Sequence, residues 1–368
     1  MKVGILGTRG VPNAYGGFEQ FAQYLSYGLA EKGHEVFVYN SSEHPYQEKQ
    51  WGKVNIIHCK DWEGKIGTAG QFIYDYNCIR DARKRNFDIL LQLGYTSNSI
   101  WHWLWPKQSI NIVNMDGLEW KRSKYNKPTQ HFLQRAEHWA AQHADLLIAD
   151  SVGIQDYLTA KYQKSSVFIP YGAEIPGSYS PSVIEQYHVD VNKYFLLIAR
   201  MEPENNIETI IKGYLLSKHS YPLIVVGNPG NKFGQYLKDN YGNPQVRFAG
   251  AIYDTNIINN LRHYAHLYFH GHSVGGTNPS LLEAMACECN IAAHDNTFNK
   301  AILQKDAQYF SDPEQVAHII TIKTDPGILA QHKQRNVEKI KTSYNWKKII
   351  DDYEQVFFKA LQTTAAPR

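Results

Sequence analysis

Short apolar runs alternate along this chain with segments whose apolar positions recur every three to four residues. Val3–Leu6, Glu35–Tyr39, Val54–His58, Ile89–Gln92, Ile110–Asn114 and Leu146–Ala149 read as strands, and Phe18–Lys32, Gly70–Lys84, Gln130–Gln142 and Val152–Lys161 as helices. Such alternation predicts a parallel sheet covered by helices on both faces. The stretch Pro170–Pro181, rich in Pro, Gly, Ser and Tyr, interrupts the pattern and reads as a linker. The pattern then restarts, with strands at Tyr194–Ala199, Leu223–Val226, Val246–Phe248, Leu267–His270 and Asn290–Ala293, and helices at Ile207–Ser217, Thr255–His263 and Pro279–Ala286. The expectation is an α/β protein of two doubly wound domains, residues 1–171 and 172–345. An amphipathic last helix, about Trp346–Leu361 within residues 346–368, follows the second sheet and is expected to cross back onto the first domain. Open α/β sheets bind ligands beyond the carboxyl ends of their strands, so a cleft shared by the two sheets is the expected site.

Composition changes this picture little. The 368 residues are ample for two domains, and 43% hydrophobic with 20% charged residues is a globular balance. A formal net charge of +3 creates no demand for nucleic acid. No apolar run approaches the ~20 residues needed to span a bilayer. The N-terminus enters Val3–Leu6 without a basic leader or cleavage site, so a cytoplasmic location is expected. Cys59, Cys78, Cys287 and Cys289 lack zinc-type spacing and read as reduced core thiols.

The most informative chemistry lies in Gly276-Thr277-Asn278-Pro279-Ser280-Leu281-Leu282-Glu283-Ala284-Met285-Ala286, a small-residue turn entering a helix. A helix N-terminus presents N–H groups and partial positive charge that suit a phosphate. A Glu just inside it can accept from two adjacent hydroxyls, as on a ribose; the competing reading is a buried helix whose Glu supports its own N-terminus. The start, Gly4-Ile5-Leu6-Gly7-Thr8-Arg9-Gly10, resembles a dinucleotide loop, which raises an NAD(P)-dependent oxidoreductase as an alternative. Against it, the second strand ends Val38-Tyr39-Asn40-Ser41 without the acidic residue a dinucleotide ribose needs, and the helix starts only near Gly16-Gly17-Phe18-Glu19. Gly16 and Gly17 would let a ligand approach the backbone, flanked by Arg9 and Glu19; Arg9 could equally be a solvated cation.

The order and spacing of several motifs resemble retaining glycosyltransferases of the GT-B fold, family 4. The residues that carry the likeness are Gly16-Gly17-Phe18-Glu19, Gly33-His34-Glu35-Val36, Leu197-Ile198-Ala199-Arg200-Met201-Glu202-Pro203-Glu204-Asn205-Asn206, and the Glu283 helix. Ala149-Asp150-Ser151 and Ile169-Pro170-Tyr171-Gly172 are lesser signposts. Gly4–Pro12, Asp116-Gly117-Leu118-Glu119-Trp120-Lys121-Arg122 and His270–Pro279 are similar to a rhamnosyltransferase-like subgroup of capsule and O-antigen assembly. The resemblance implies two Rossmann-like domains facing a central cleft. It also implies transfer of a sugar, in the subgroup L-rhamnose from dTDP-rhamnose, to a glycan or polyprenyl-diphosphate-linked acceptor.

The resemblance also assigns roles. Arg200 matches the diphosphate arginine, with an interdomain salt bridge as the structural alternative. Glu283 matches the ribose carboxylate. Two family positions depart: Asn205 stands where a Lys is usual, and Gly275 where the first Glu of the Glu-x7-Glu pair would fall. Arg9 and the amides of Gly276–Leu281, with Thr277, Asn278 and Ser280, are candidates to complete the seat. Ala251 and Ile252 could face the base. His270 and His272 could touch phosphate or sugar, or be core or turn histidines. Asp116 is the candidate to take the acceptor's proton or bind the sugar, with Glu119 beside it, although a turn-stabilising Asp is the ordinary alternative. No Asp-x-Asp motif occurs, so no metal or other cofactor is expected. Retention by same-face attack, with the leaving phosphate taking the proton, is the implied mechanism. A non-catalytic nucleotide-sugar-binding protein is the second reading, prompted by Gly275 and Asn205. Trp101, Trp103 and Trp105 at period two, with Lys107, Lys121, Arg122, Lys124 and Lys127 nearby in sequence, suggest peripheral membrane contact at the inner face; filling a core or lining an acceptor cleft is the competing use. Replacing Arg200 or Glu283 by Ala is expected to cripple transfer and leave the fold intact.

Overall fold

The computed structural model describes residues 1–14, 16–122 and 124–365. The chain divides into two compact units: Met1–Trp120 with Asn126–Tyr171 and the chain from Trp346 onward, and Gly172–Asn345 with the short segment Lys121–Tyr125.

The first unit is built on strands β1 (Lys2–Leu6), β2 (Glu35–Ser41), β3 (Gln50–Trp51), β4 (Val54–Cys59), β5 (Ile89–Leu93), β6 (Ile110–Asn114), β7 (Leu146–Ala149) and β8 (Ser166–Phe168). Their order is β3-β4-β2-β1-β5-β6-β7-β8, all parallel except the β3/β4 edge pair. Its helices are α1 (Gly17–Glu31), α2 (Glu63–Ile66), α3 (Ala69–Ala82), α4 (Lys127–His143) and α5 (Val152–Tyr162). β5 and β6 are buried along their whole length, as fits strands covered on both faces.

The second unit has β9 (Phe195–Ile198), β10 (Leu223–Val226), β11 (Val246–Gly250), β12 (Leu267–His270), β13 (Ile291–His294) and β14 (Gln308–Phe310), in the all-parallel order β11-β10-β9-β12-β13-β14. Around them lie α6 (Ile207–Ser217), α7 (Lys232–Tyr241), α8 (Thr255–His263), α9 (Pro279–Ala286), α10 (Thr297–Leu303), α11 (Pro313–Thr321) and α12 (Pro326–Thr342). Phe195, Leu197, Ile210, Tyr214, Val225, Phe269 and Phe310 form the centre of its core. The last helix, α13 (Trp346–Ala365), packs on α1 of the first unit, where Trp346 stacks on Tyr24 and Tyr353 meets Phe21.

Both sheets reverse strand order at their first strand. β1 pairs with β2 on one side and β5 on the other, and β9 pairs with β10 and β12. That reversal opens a crevice at the carboxyl ends of β1 and β9, where doubly wound sheets take ligands. The tryptophan run lies in and just after a 3-10 helix, Ser99–Leu104: Trp105 is buried and Trp103 is 58% exposed. The cations quoted with it part company, since Lys121, Arg122 and Lys124 belong to the second unit and Lys127 opens α4 of the first.

Candidate functional site

Arg200 follows the carboxyl end of β9, and Gly271-His272 that of β12, on the two strands that flank the reversal. Three asparagines shape the loop after β9. Asn205 Nδ2 donates to the Arg200 carbonyl (2.7 Å), Asn206 Nδ2 to the Gly271 carbonyl (2.7 Å) and Asn231 Nδ2 to the Met201 carbonyl (2.7 Å). A Cβ on Gly271 would sit 2.0 Å from the Asn205 carbonyl oxygen, so only glycine lets the two loops approach this closely. Ser273 joins them again: its N–H (3.1 Å) and hydroxyl (2.7 Å) both donate to the Glu204 carbonyl. Asn205 is buried and spent on this backbone contact, so it ties the loop rather than offering a group to a phosphate. Arg200 is exposed, and its guanidinium makes no hydrogen bond or ion pair among the described residues.

His272 lies against this loop, with its carbonyl held by Asn296 Nδ2 (3.0 Å) and Asn299 Nδ2 (3.1 Å) from the start of α10. Burial, and then the positive charges of Arg200 and Arg122, push its imidazole down to about 3. It is a neutral group at ordinary pH, able to share a hydrogen bond but not to add charge. His270 stacks on it (centroids 4.5 Å apart) but is wholly buried, with no hydrogen-bond partner for either ring nitrogen among the described residues. His272 is half-buried, and its Nδ1 is buried without a hydrogen-bond partner among the described residues.

The α9 terminus is less open than a bare helix start. Asn278 is the N-cap, its side chain accepting from Ser280 N–H (2.9 Å), while Pro279 has no N–H to give. The Leu281 amide is bonded to the Asn278 carbonyl (3.0 Å), and the Leu281 side chain is fully buried. The expectation that the Ser280 and Leu281 amides cradle phosphate is therefore corrected: both are used inside the helix start. Gly276 and Thr277 precede it, Thr277 buried. The Ser280 hydroxyl lies 2.9 Å from the Tyr268 hydroxyl and accepts from Arg262 (3.1 Å).

Glu283 projects from the first turns of α9 with 27% of its side chain exposed, and its Oε2 lies 2.6 Å from Nη2 of Arg262, which is 3% exposed. Burial would lower the arginine's affinity for its proton, but the Glu283 carboxylate outweighs it and the pKa is raised. Sequence reasoning missed Arg262. It sits in the last turn of α8, where a cation also meets the helix dipole, and it fixes Glu283 as a carboxylate facing outward from a buried anchor. Arg122 Nη1 is 3.6 Å from Glu204 Oε1, within the second unit. Ala251, exposed, and Ile252, half-buried, follow the end of β11.

In the first unit Gly16 caps α1 and exposed Gly17 begins it. Gly7 has φ +90 and would place a Cβ 2.3 Å from the Leu93 carbonyl oxygen, so the glycine start is a tight strand-end turn. Arg9 is corrected as a site cation: its Nε (2.9 Å) and Nη2 (2.6 Å) form a fork on Glu63, and its N–H donates to Glu19. Asp116 stands just past β6 with φ +44, an uncommon conformation for a non-glycine residue. Its N–H donates to Asn114 Oδ1 (3.0 Å), and Tyr171 donates its hydroxyl to Asp116 Oδ1 (3.4 Å). Glu119 donates its N–H to the Tyr95 hydroxyl oxygen (3.2 Å). Tyr95 and Trp120 both donate to the buried carboxylate of Glu137, so this loop hangs from α4.

All four cysteines are free and buried. Among the described residues, no group of three or more His, Cys, Asp or Glu could hold a metal ion, and no helix is long and apolar enough to cross a membrane.

Residues 185–339 match the family model of glycosyl transferases group 1, and residues 1–174 match a domain of unknown function (DUF1972). An uncharacterized glycosyltransferase of Methanocaldococcus jannaschii is 25% identical over 309 residues, 74% of this chain and 76% of that protein. The structure superposes on sucrose-phosphate synthase from Thermosynechococcus elongatus with a TM-score of 0.80 at 16% identity, covering 98% of this chain and 99% of that one. It superposes on Anabaena HepE, solved in complex with UDP, with a TM-score of 0.72 at 14% identity, covering 98% and 100%. The fold is GT-B, and the match over the second unit supports glycosyltransferase activity.

Proposed function

We propose that this chain is a retaining, metal-independent glycosyltransferase that moves L-rhamnose from dTDP-rhamnose onto a glycan, as an intermediate carried on a polyprenyl diphosphate. The observation that carries a sugar-nucleotide site is the pairing of an uncommitted guanidinium, Arg200, at the end of β9 with a carboxylate, Glu283, held outward by buried Arg262. One suits a diphosphate and the other a pair of ribose hydroxyls. UDP in HepE is a precedent for a nucleotide on this fold. The rhamnose assignment is supported by the subgroup motifs around Asp116 and His270.

In this reading Arg200 and the loop at Gly276-Thr277 oppose the charge that builds on the leaving diphosphate, and Asp116 receives or orients the acceptor hydroxyl. His272, kept neutral, can donate to or accept from the donor without repelling Arg200. A thermal-shift panel of dTDP, UDP, GDP and NAD is expected to show the largest stabilisation with dTDP. Stabilisation by NAD alone would restore the oxidoreductase reading, and a larger shift with UDP or GDP would move the donor away from rhamnose.

We also propose peripheral contact with the cytoplasmic face of a membrane through exposed Trp103, with Lys107 exposed close after it in sequence. The chain is expected to float with anionic liposomes at low salt, and Trp103→Ala to reduce the bound fraction severalfold. No flotation of the unaltered chain would discard the contact.

A further inference from the structure

We infer that the face formed by α3, the 3-10 helix Ser99–Leu104 and α4 docks on a lipid surface bearing anionic headgroups. The inference rests on the membrane contact proposed above, and replaces contact through one tryptophan by contact through a built face. Aromatic rings run across all three elements. Tyr76 meets Trp101 (ring centroids 5.0 Å apart), and Trp101 meets Trp103 (5.7 Å). Phe72 meets Phe132 (5.5 Å), and Phe132 meets Trp139 (6.2 Å). His102 bridges the two series, 5.3 Å from Trp103 and 6.3 Å from Trp139. Trp101 Nε1 donates to the Phe72 carbonyl (2.9 Å), which pins the 3-10 helix to α3. None of these aromatic side chains is withdrawn from solvent: Trp103 is exposed, and Phe72, Tyr76, Trp101, Phe132 and Trp139 are half-buried. A linked series of rings reaching the surface marks an interaction site, whereas apolar residues scattered singly do not.

Charge says what covers this face. The acidic residues of the three elements are Asp75, Asp81 and Glu137. Asp75 and Glu137 are buried, and Asp81 is held by Arg85. The exposed charged side chains of the same elements are all cations, Arg80, Lys127 and Arg135, and exposed Arg83, Lys84 and Lys107 follow closely in the chain. None of these six makes an ion pair among the described residues; Arg80 lies over the Tyr76 ring, 5.5 Å from its centroid. The neighbouring acids Asp88 and Asp145 are turned to strand ends, accepting from the N–H groups of Lys2 (2.6 Å) and Asn111 (2.8 Å). A second copy of this chain would set like charges against one another. Long cationic side chains without fixed partners suit fluid phosphate headgroups, and half-buried Trp and Tyr rings suit the boundary between headgroup and acyl chain.

Flotation of the full chain with vesicles of phosphatidylcholine, alone or mixed with phosphatidylglycerol, tests this. The chain is expected to float with the mixed vesicles, to stay behind with phosphatidylcholine alone, and to be released by high salt. Arg80→Glu with Arg135→Glu is expected to lower the fraction bound to mixed vesicles about tenfold or more. Both side chains are exposed, so the melting temperature should hold and separate lost docking from lost fold. If Trp103→Ala weakens flotation while the double charge reversal floats like the unaltered chain, the contact is a single inserted tryptophan; the face is overturned and the peripheral contact stands. Equal flotation with both kinds of vesicle also overturns the face, because its cations then select nothing. An unaltered chain that floats with neither, but sediments as a dimer that Trp103→Ala dissolves, assigns the face to a second copy. An unaltered chain that floats with neither and is retained on polyglutamate assigns it to an acidic protein. Either result, or the absence of flotation alone, overturns the face and the membrane contact together.

Discussion

Glu283→Ala is expected to abolish transfer and also to destabilise the second unit, which corrects the sequence-based expectation of an intact fold. The carboxylate is the counter-ion of Arg262, and Arg262 is 3% exposed. Ser280 and Asn259 would still accept from the guanidinium, at 3.1 and 3.3 Å, but neither carries charge. Breaking one side of a buried ion pair costs ~3–5 kcal/mol. Glu283 keeps 27% of its side chain in solvent, which places the cost near the lower end, about 3 kcal/mol. In a unit of this size that lowers the melting temperature by roughly 6–12 °C. The double substitution Glu283→Ala with Arg262→Met separates the two effects. With the buried charge also removed, most of the stability should return, because apolar replacement of both partners is close to neutral. Nucleotide affinity should not return, because the ribose carboxylate is still missing. A single variant that melts like the unaltered chain would show that water reaches Arg262 and that Glu283 is not its anchor.

What was legible in the sequence follows a physical division. Strands such as Ile110–Asn114 and helices such as Ile207–Ser217 and Thr255–His263 carry their own signal, since a run buried on both faces must be apolar and a one-sided helix must be periodic. α7 and α12 were missed because little of them is buried: Gly234 and Leu237 in one, Asn336 and Ile340 in the other. Gly234 looks like a helix breaker, yet a Cβ there would sit 2.6 Å from Pro229, so packing selects it. In the candidate site, Arg200 and Glu283 are proposed from their motifs and their positions in the second unit. Arg262 was not legible, because its only signal is a cation near a helix end, and its partner lies on the next helix, α9, with a strand between them. Arg9 looked available for the converse reason: Glu63, which holds it, is 54 residues away in sequence.

Arg200→Ala is expected to behave in the opposite way to Glu283→Ala, with a large loss of rate and no loss of fold. The side chain is exposed and makes no hydrogen bond or ion pair among the described residues, so its removal should change stability by no more than about 0.5 kcal/mol. Removing one group that opposes developing charge in a transition state lowers the rate about 100- to 1000-fold. The partition between constants is the sharper test. If Arg200 acts mainly as charge builds on the leaving diphosphate, kcat and kcat/KM should fall together while KM for the donor holds. If it serves only to hold the ground-state diphosphate, KM should rise with kcat nearly unchanged. Arg200→Lys should fall between the two chains, because an ammonium restores the charge but not the two-pronged fit to phosphate oxygens. A kcat within about threefold of the unaltered enzyme would remove Arg200 from the chemistry. The charge on the leaving group would then have to be met elsewhere in the second unit, by the backbone of Gly276 and Thr277.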